Sequence, residues 1–212
     1  MSFLSDIMLK ALNFFYSFSG NYSLAIIFLT IAINLALYPL TLQSIVQMSA
    51  MQRIQPKMKD LQEKYKDDPK TLQQEMMGMY KAEKVNPFGG CLPMLLKIPF
   101  FIAFFWVLQG KEFQAILTQP GIQSSFLWIS NLAKPDPIYI MPGLVAISTF
   151  LSQKTMPNMS ADNSQMKGMT YFMPLFIAII SISFAAGVQI YWVVSNLITM
   201  AQQVYVTRKK AV

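Results

Sequence analysis

Histidine is absent from the 212 residues. That removes the side chain that titrates nearest neutral pH and the commonest metal ligand. A single cysteine, Cys91, excludes an intrachain disulfide. The run Phe88-Gly89-Gly90-Cys91 has some likeness to a lipobox. It lies mid-chain, however, where no signal peptidase would create a new N-terminus, and Cys91 is read as a small residue at a helix end. Charge is also scarce. Asp, Glu, Lys and Arg make up 13% of the chain, against about 25% in soluble domains. None of the ten acids falls within a long apolar run, which argues against an intramembrane aspartyl protease or a carboxylate-driven proton pump. Gly-rich phosphate loops and metal-ligand clusters are missing too, so neither a cofactor, a metal nor enzymatic chemistry is expected.

Hydrophobic residues account for 54% of the chain. A core of this size cannot hide that excess from water, so lipid must solvate much of it. Five apolar stretches read as transmembrane helices: 22–42, 91–109, 138–151, 169–186 and 188–206. The last two are separated only by Ala186-Gly187 and are expected to form a tight antiparallel hairpin. Pro39, Pro93, Pro99, Pro142 and Pro174 lie in or beside these spans and imply kinks that a packed bundle absorbs. Residues 1–18 differ. Phe3, Leu4, Ile7, Met8, Ala11, Leu12 and Phe15 recur at helical spacing, with polar residues between them. This predicts an amphipathic helix lying in the interface, broken by Ser19-Gly20-Asn21. The rest of the chain, 19–212, forms the five-helix core. The fold class expected is therefore an all-α membrane protein.

Two connections are long. Residues 43–90 form a polar insert that reads as a helical hairpin, with apolar stripes Ile54, Met58, Leu61, Tyr65 and Leu72, Met76, Met79, Tyr80. Asp68 is the expected N-cap of the second arm and Pro69 its first helical residue. Val85-Asn86-Pro87-Phe88-Gly89-Gly90 should end that arm. Met48, Met51, Met58, Met76, Met77 and Met79 either offer an adaptable apolar surface or close the hairpin seam. Residues 110–137 carry Phe113, Ile116, Leu117, Phe126, Leu127, Trp128 and Ile129 and predict short interfacial helices with an aromatic anchor. Arg53, Lys57, Lys59, Lys64, Lys66, Lys70, Lys81 and Lys84 lie in the hairpin. Lys154, Lys167, Arg208, Lys209 and Lys210 share its side of the membrane, while Lys10, Lys111 and Lys134 lie on the other. The positive-inside rule then puts hairpin and C-terminus in the cytoplasm and the N-terminus outside. A net charge of +7 suits anionic lipid on that side; the basic tail touches lipid or ribosomal RNA.

Polar residues within the spans are few. Thr30 and Asn34 lie one turn apart in span one. Lys97 is in span two, and Gln189, Ser195, Asn196 and Thr199 are in span five. Each is either interhelical glue or part of a hydrated recess open to the cytoplasm. Counting 1.5 Å per residue, Asn34 lies roughly 12 Å and Lys97 roughly 9 Å deep, so the two can share one cavity.

Several motifs occur in a telling order. Tyr38-Pro39-Leu40-Thr41 closes span one, and Arg53-Ile54-Gln55-Pro56-Lys57 opens the hairpin. Gln74-Glu75-Met76-Met77 and Tyr80-Lys81-Ala82-Glu83-Lys84-Val85-Asn86-Pro87 follow, then Gly89-Gly90-Cys91-Leu92-Pro93 and Val194-Ser195-Asn196-Leu197. Over essentially the whole chain this pattern resembles the YidC/Oxa/Alb family of membrane protein insertases. The resemblance implies a bacterial plasma (inner) membrane protein whose helices enclose a hydrophilic groove closed to the outside. Nascent membrane proteins would enter from the cytoplasm, either alone or with the Sec translocon and the ribosome as partners, and leave sideways into lipid. No small-molecule substrate is implied. By motif position Thr30, Tyr191 and Trp192 would line the exit path; ordinary packing or an aromatic belt is the alternative for both aromatics. Groove positions would be Thr30, Asn34, Lys97, Gln189, Tyr191, Trp192, Ser195 and Asn196. Residue 1 aligns partway along longer members that carry a preceding anchor and a periplasmic domain. Composition leaves open an excised core or a short relative.

One departure stands out. Bacterial members resemble this chain but carry an arginine five residues before the proline of span one, where this chain has Asn34. Lys97 either supplies part of the missing positive charge or snorkels to the headgroups. A transporter is the competing reading. It predicts a polar path right across the membrane and repeated halves; no repeat is visible here.

Overall fold

The computed structural model describes residues 3–86, 92–156 and 164–210. The expected roles of Cys91 and of the breaker at 87–90 lie outside the described residues. Nine α-helices are described: α1 (Phe3–Ser19), α2 (Tyr22–Ala36), α3 (Tyr38–Lys64), α4 (Pro69–Ala82), α5 (Leu92–Gln109), α6 (Lys111–Leu117), α7 (Ile140–Thr155), α8 (Ser164–Ser181) and α9 (Ala186–Lys210). No strand occurs among the described residues, only an isolated antiparallel bridge between Phe126 and Ile129. The all-helical class expected from the sequence holds.

α1 and α2 meet at a bend of 118°. Gly20 turns the chain with φ +67°, a backbone that glycine adopts without penalty. Asn21 then caps α2, its Oδ1 accepting the Ser23 N–H at 2.7 Å. Asn21 and Tyr22 also hold the 123–125 segment: Asn21 Nδ2 donates to the Ser125 carbonyl at 3.1 Å and the Tyr22 N–H to the Gln123 carbonyl at 3.0 Å. α1 lies back across α2 and α5 and buries Met8 and Leu12, while Phe3, Phe14 and Phe18 stay exposed. The buried side departs from the expected apolar stripe: Phe3 and Ile7 of that stripe are exposed, and Ser5 is buried beside Met8 and Leu12.

α2 stops at Leu37, two residues before Pro39, and α3 then runs unbroken from Tyr38 into the hairpin. Pro39 has no N–H for the Leu35 carbonyl, which explains the break. The first hairpin arm thus begins at Tyr38, five residues before the expected boundary at 43. Asp68 caps α4 as expected, accepting the Thr71 N–H at 3.1 Å and hydroxyl at 2.5 Å, with Pro69 at the helix start. Met51, Ile54 and Val85 form a small buried cluster between the arms, with Met58, Met79 and Tyr80 against it. The Tyr80 hydroxyl lies 3.6 Å from Met58 Sδ, and burial raises its pKa. Met58 and Met79 therefore close the seam, whereas Met77 is exposed. Lys57 and Glu83 add a 2.5 Å ion pair across the arms. Lys84 ends α4 in the left-handed region, φ +53°, as the Val85 N–H reaches back to the Tyr80 carbonyl.

The end of the chain departs from expectation twice. The turn between the last two helices is at residues 182–185, not Ala186-Gly187; both of those residues belong to α9. Their N–H groups donate to the carbonyls of Lys134 (2.8 Å) and Leu132 (3.0 Å), which satisfies the start of α9. Gly187 is needed for close approach: a Cβ there would meet Ile26 Cδ1 and Leu108 Cδ1, each at 3.1 Å. Nor do α8 and α9 form a tight hairpin. α8 packs along α7, and α7 and α2 pack along α9. The main core gathers α1, α2, α5 and α9 with Phe113, Ile129 and Leu132 from the 110–137 connection.

That connection carries one short helix, α6, and ends in a buried carboxylate. Asp136 accepts three N–H groups: Trp128 Nε1 at 3.0 Å and the backbone of Ile138 at 3.2 Å on Oδ1, and the backbone of Met141 at 2.7 Å on Oδ2. It thereby satisfies the Met141 N–H in the first turn of α7 and anchors Trp128 at once.

Among the described residues no single helix is both long and apolar enough to cross a membrane by itself. Two bent pairs are: Phe3–Ser19 with Tyr22–Ala36, and Lys97–Gln109 with Lys111–Leu117, the latter bent by 56°. Tyr171–Ser181 is a shorter apolar helix.

Candidate functional site

α9 places Ser195, Thr199 and Gln202 on one face, at intervals of four and three residues. Facing them are Asn34 of α2 and Lys97 of α5. Asn34 Nδ2 donates to the Thr30 carbonyl at 2.8 Å and lies 3.4 Å from Ser195 Oγ. Ser195 Oγ is also 3.4 Å from Asn34 Oδ1. Thr199 Oγ1 donates to the Ser195 carbonyl at 2.7 Å and accepts from Lys97 Nζ at 2.8 Å. A polar chain therefore runs from Lys97 through Thr199 and Ser195 to Asn34, joining three helices. Gln202 extends it, its Nε2 donating to the Asn34 carbonyl at 3.3 Å. That carbonyl is in the last turn of α2, where helix carbonyls lack partners of their own. Lys97 is half-buried and has no carboxylate partner among the described residues.

The other predicted positions fall around this chain. The Thr30 hydroxyl is buried and turned back onto the Ile26 carbonyl at 2.6 Å, so Thr30 meets the chain through its own carbonyl. Asn196 points to α7, its Nδ2 donating to Ser148 Oγ (3.1 Å) and Thr149 Oγ1 (3.0 Å). Gln203, two turns on, repeats the link, its Oε1 accepting the Thr155 hydroxyl at 2.5 Å. Gln189 sits at the far end, with Nε2 on the carbonyls of Ser181 (2.5 Å) and Phe184 (3.5 Å), and takes no part in the Lys97–Asn34 chain. Tyr191 and Trp192 pack on the aromatic side of α5. Tyr191 stacks on Phe104 at 4.6 Å, and Trp192 meets Phe101 edge-on at 5.0 Å. Gln202, Gln203 and Asp136 are structural partners that residue type alone did not single out. For Gln202 the usable signal was its spacing, seven residues after Ser195.

The outward faces of α5, α7 and α8 are apolar, and polar side chains lie inside beside the apolar core. Ile98, Ile102 and Trp106 of α5, Leu144, Ile147 and Leu151 of α7, and Phe172, Leu175, Phe176 and Ile179 of α8 are exposed. Thr30, Asn34, Ser148, Thr149, Gln189, Ser195 and Gln203 are buried. Water would reverse this arrangement; hydrocarbon favours it, because polar groups there must find partners inside the protein.

The profile of the 60Kd inner membrane protein family matches residues 14–211. The chain belongs to that family, the YidC/Oxa/Alb group. It is 42% identical over 210 residues to the membrane protein insertases YidC of Francisella tularensis subsp. novicida, subsp. tularensis and subsp. holarctica. Those alignments cover 98% of this chain and 36% of each relative, so the chain spans about a third of their length. The crystal structure of an active YidC insertase with its first transmembrane domain resolved superposes with a TM-score of 0.72 at 20% identity. That match covers 95% of this chain and 46% of the other, and it establishes the YidC-like fold. An inner-membrane family and an apolar outer surface point to the same environment. In this YidC/Oxa/Alb member the polar chain is therefore shielded by helices whose outward faces suit lipid.

Proposed function

We propose that this chain is a membrane protein insertase, moving segments of nascent membrane proteins from the cytoplasm into the bilayer. The observation that carries the reading is the polar chain Lys97–Thr199–Ser195–Asn34, enclosed by helices whose outer faces are apolar. A polar recess partway through a membrane shortens the low-dielectric path a polar tail must cross. Burial of the substrate's apolar helix in lipid then drives the process, so no nucleotide is consumed.

In this reading α2, α5, α7, α8 and α9 are the five spans and α1 lies in the outer interface. The α3–α4 hairpin and the basic C-terminus face the cytoplasm, where ribosome, Sec translocon and anionic lipid are the partners. Asn34 stands where related bacterial chains carry arginine, and Lys97 supplies the recess charge from α5 instead. Its hydrogen bond to Thr199 on a neighbouring helix supports an inward-facing ammonium rather than one reaching for headgroups.

The test is insertion of a single-span substrate into vesicles containing only this protein, read by protease protection. Wild type should protect the translocated tail without nucleotide; failure would overturn the proposal. Lys97→Gln should slow acidic tails more than neutral ones, and equal effects on both would remove the charge role while leaving the insertase reading in place.

A further inference from the structure

Resting on the insertase reading above, we propose that Gln202 is a substrate-contacting acceptor, whose Oε1 takes a backbone N–H of the polar segment in transit. Gln202 is 9% exposed, and its Oε1 is buried without a partner among the described residues. The amide cannot relieve this by turning over. Its Nε2 donates to the Asn34 carbonyl at 3.3 Å, and a reversed amide would set oxygen against oxygen. The α2 carbonyl thus fixes which end of Gln202 is left unsatisfied. Neighbouring side-chain oxygens are already engaged: Thr199 Oγ1 accepts from Lys97, and Ser195 and Asn34 face each other. Gln189 Oε1 is likewise unpartnered, but it lies at the α8–α9 turn and takes no part in the chain that reaches Lys97.

The peptide backbone needs what this end of the seam offers. Each residue of an extended segment carries one N–H and one C=O, and both need partners once water is stripped away. Lys97 has N–H donors beyond the one given to Thr199 and suits a carbonyl or carboxylate. Gln202 offers the complementary acceptor three residues along the same face of α9. Together they form a two-handed site for a polar backbone of any sequence, which fits a protein with varied substrates.

The experiment uses vesicles containing the full chain and two synthetic single-span substrates. One has an ordinary polar tail; the other has the same tail with its backbone nitrogens methylated, so that it has no N–H. Wild type should insert the ordinary tail roughly five- to tenfold faster than the methylated one, the loss of about one hydrogen bond. Gln202→Met should slow the ordinary tail by a similar factor and leave the methylated tail unchanged. If both tails slow equally in Gln202→Met, or if neither does, the oxygen serves only internal hydration and the proposal fails. A photoreactive group in the ordinary tail, arrested in wild type, supplies the readout that needs no variant. An adduct on Gln202 supports the contact, and insertion with no such adduct overturns it. Should wild type insert neither tail, the insertase reading itself fails; insertion indifferent to methylation and to Gln202→Met sinks only the acceptor.

Discussion

Gly187 should respond to a single methyl group in the opposite sense to Gly143. A Cβ at Gly187 lies 3.1 Å from Ile26 Cδ1, 3.1 Å from Leu108 Cδ1 and 3.4 Å from the Leu132 carbonyl oxygen. Ile26 and Leu108 are both fully buried, so neither methyl has space to retreat. The Leu132 carbonyl is tied down by the Gly187 N–H itself. Forcing atoms into such a site costs about 1–3 kcal/mol. Alanine regains up to about 1 kcal/mol through helix propensity, and less in a first turn. Gly187→Ala should therefore lose about 1–2 kcal/mol net. For a chain of this size that lowers the unfolding midpoint by roughly 2–4 °C per kcal/mol. Gly143 in α7 has nothing within 4 Å of its Cβ, so Gly143→Ala takes the propensity gain without the clash. Thermal unfolding of both variants in one mild detergent is the assay. Gly187→Ala should fall below wild type and Gly143→Ala should match or exceed it. If Gly187→Ala is as stable as Gly143→Ala, close approach is not the reason for glycine there.

Asp136→Asn should destabilise by about 1–3 kcal/mol in the same assay, because an amide nitrogen must then face one of three N–H donors; a midpoint within about 1 °C of wild type would refute the buried carboxylate's role. Asn196→Ala should cost about 1 kcal/mol by cutting α9 from Ser148 and Thr149, and the cost should largely vanish in a Ser148→Ala, Thr149→Val background. In the hairpin, the Thr71 hydroxyl and then its N–H hold the Asp68 carboxyl below its ordinary value near 3.8. A depressed folded value means that the cap's contribution is full above the ordinary value and lost as pH falls through the lower one. Protection of the start of α4 against hydrogen exchange should thus drop below about pH 4, whereas Asp68→Asn, which still accepts a hydrogen bond, should keep it. Equal pH responses in the two proteins would show that the carboxylate is not what titrates.

Local signals in the sequence were reliable where one residue type has one physical use. Asp68-Pro69 marked a helix start, and Ser19-Gly20-Asn21 marked a break, because capping and left-handed backbone are properties of a few residues. Ala186-Gly187 misled for the same reason. Glycine also permits close packing, and nothing local distinguishes the two uses. The real turn, Ile182 to Ala185, holds Ser183 but no glycine, proline, asparagine or aspartate, so it is weakly marked. The order of packing was also hidden: α8 and α9 are sequence neighbours, yet α7 lies against both. In the site, the rise per residue put Asn34 and Lys97 at similar expected depths; in the structure they do not hydrogen-bond to each other and are linked through Ser195 and Thr199. Gln202 lay at the expected membrane exit, where a glutamine is unremarkable until its two ends prove to have different surroundings. Asp136 drew no attention because its donors come from residues 128, 138 and 141, which no periodicity connects.

The three faces of α9 explain why its polar residues coexist with a rigid bundle. Asn196 and Gln203 share the face toward α7, and their amides are spent on hydroxyls there. Tyr191 and Trp192 close the α5 side with aromatic contacts that need no hydrogen bonds for the ring faces. The face with Ser195, Thr199 and Gln202 meets α2, which stops at Leu37 ahead of Pro39. An uninterrupted α2 would keep the Asn34 carbonyl within its own ladder, and Gln202 would have no fixed orientation. A substitution that heals the break, Pro39→Ala, should therefore act on Gln202 without touching it: the amide is freed, and the loss of insertion rate on Gln202→Met should shrink in that background. If the two substitutions are instead additive, the break and the glutamine act separately, and α9 alone positions the acceptor.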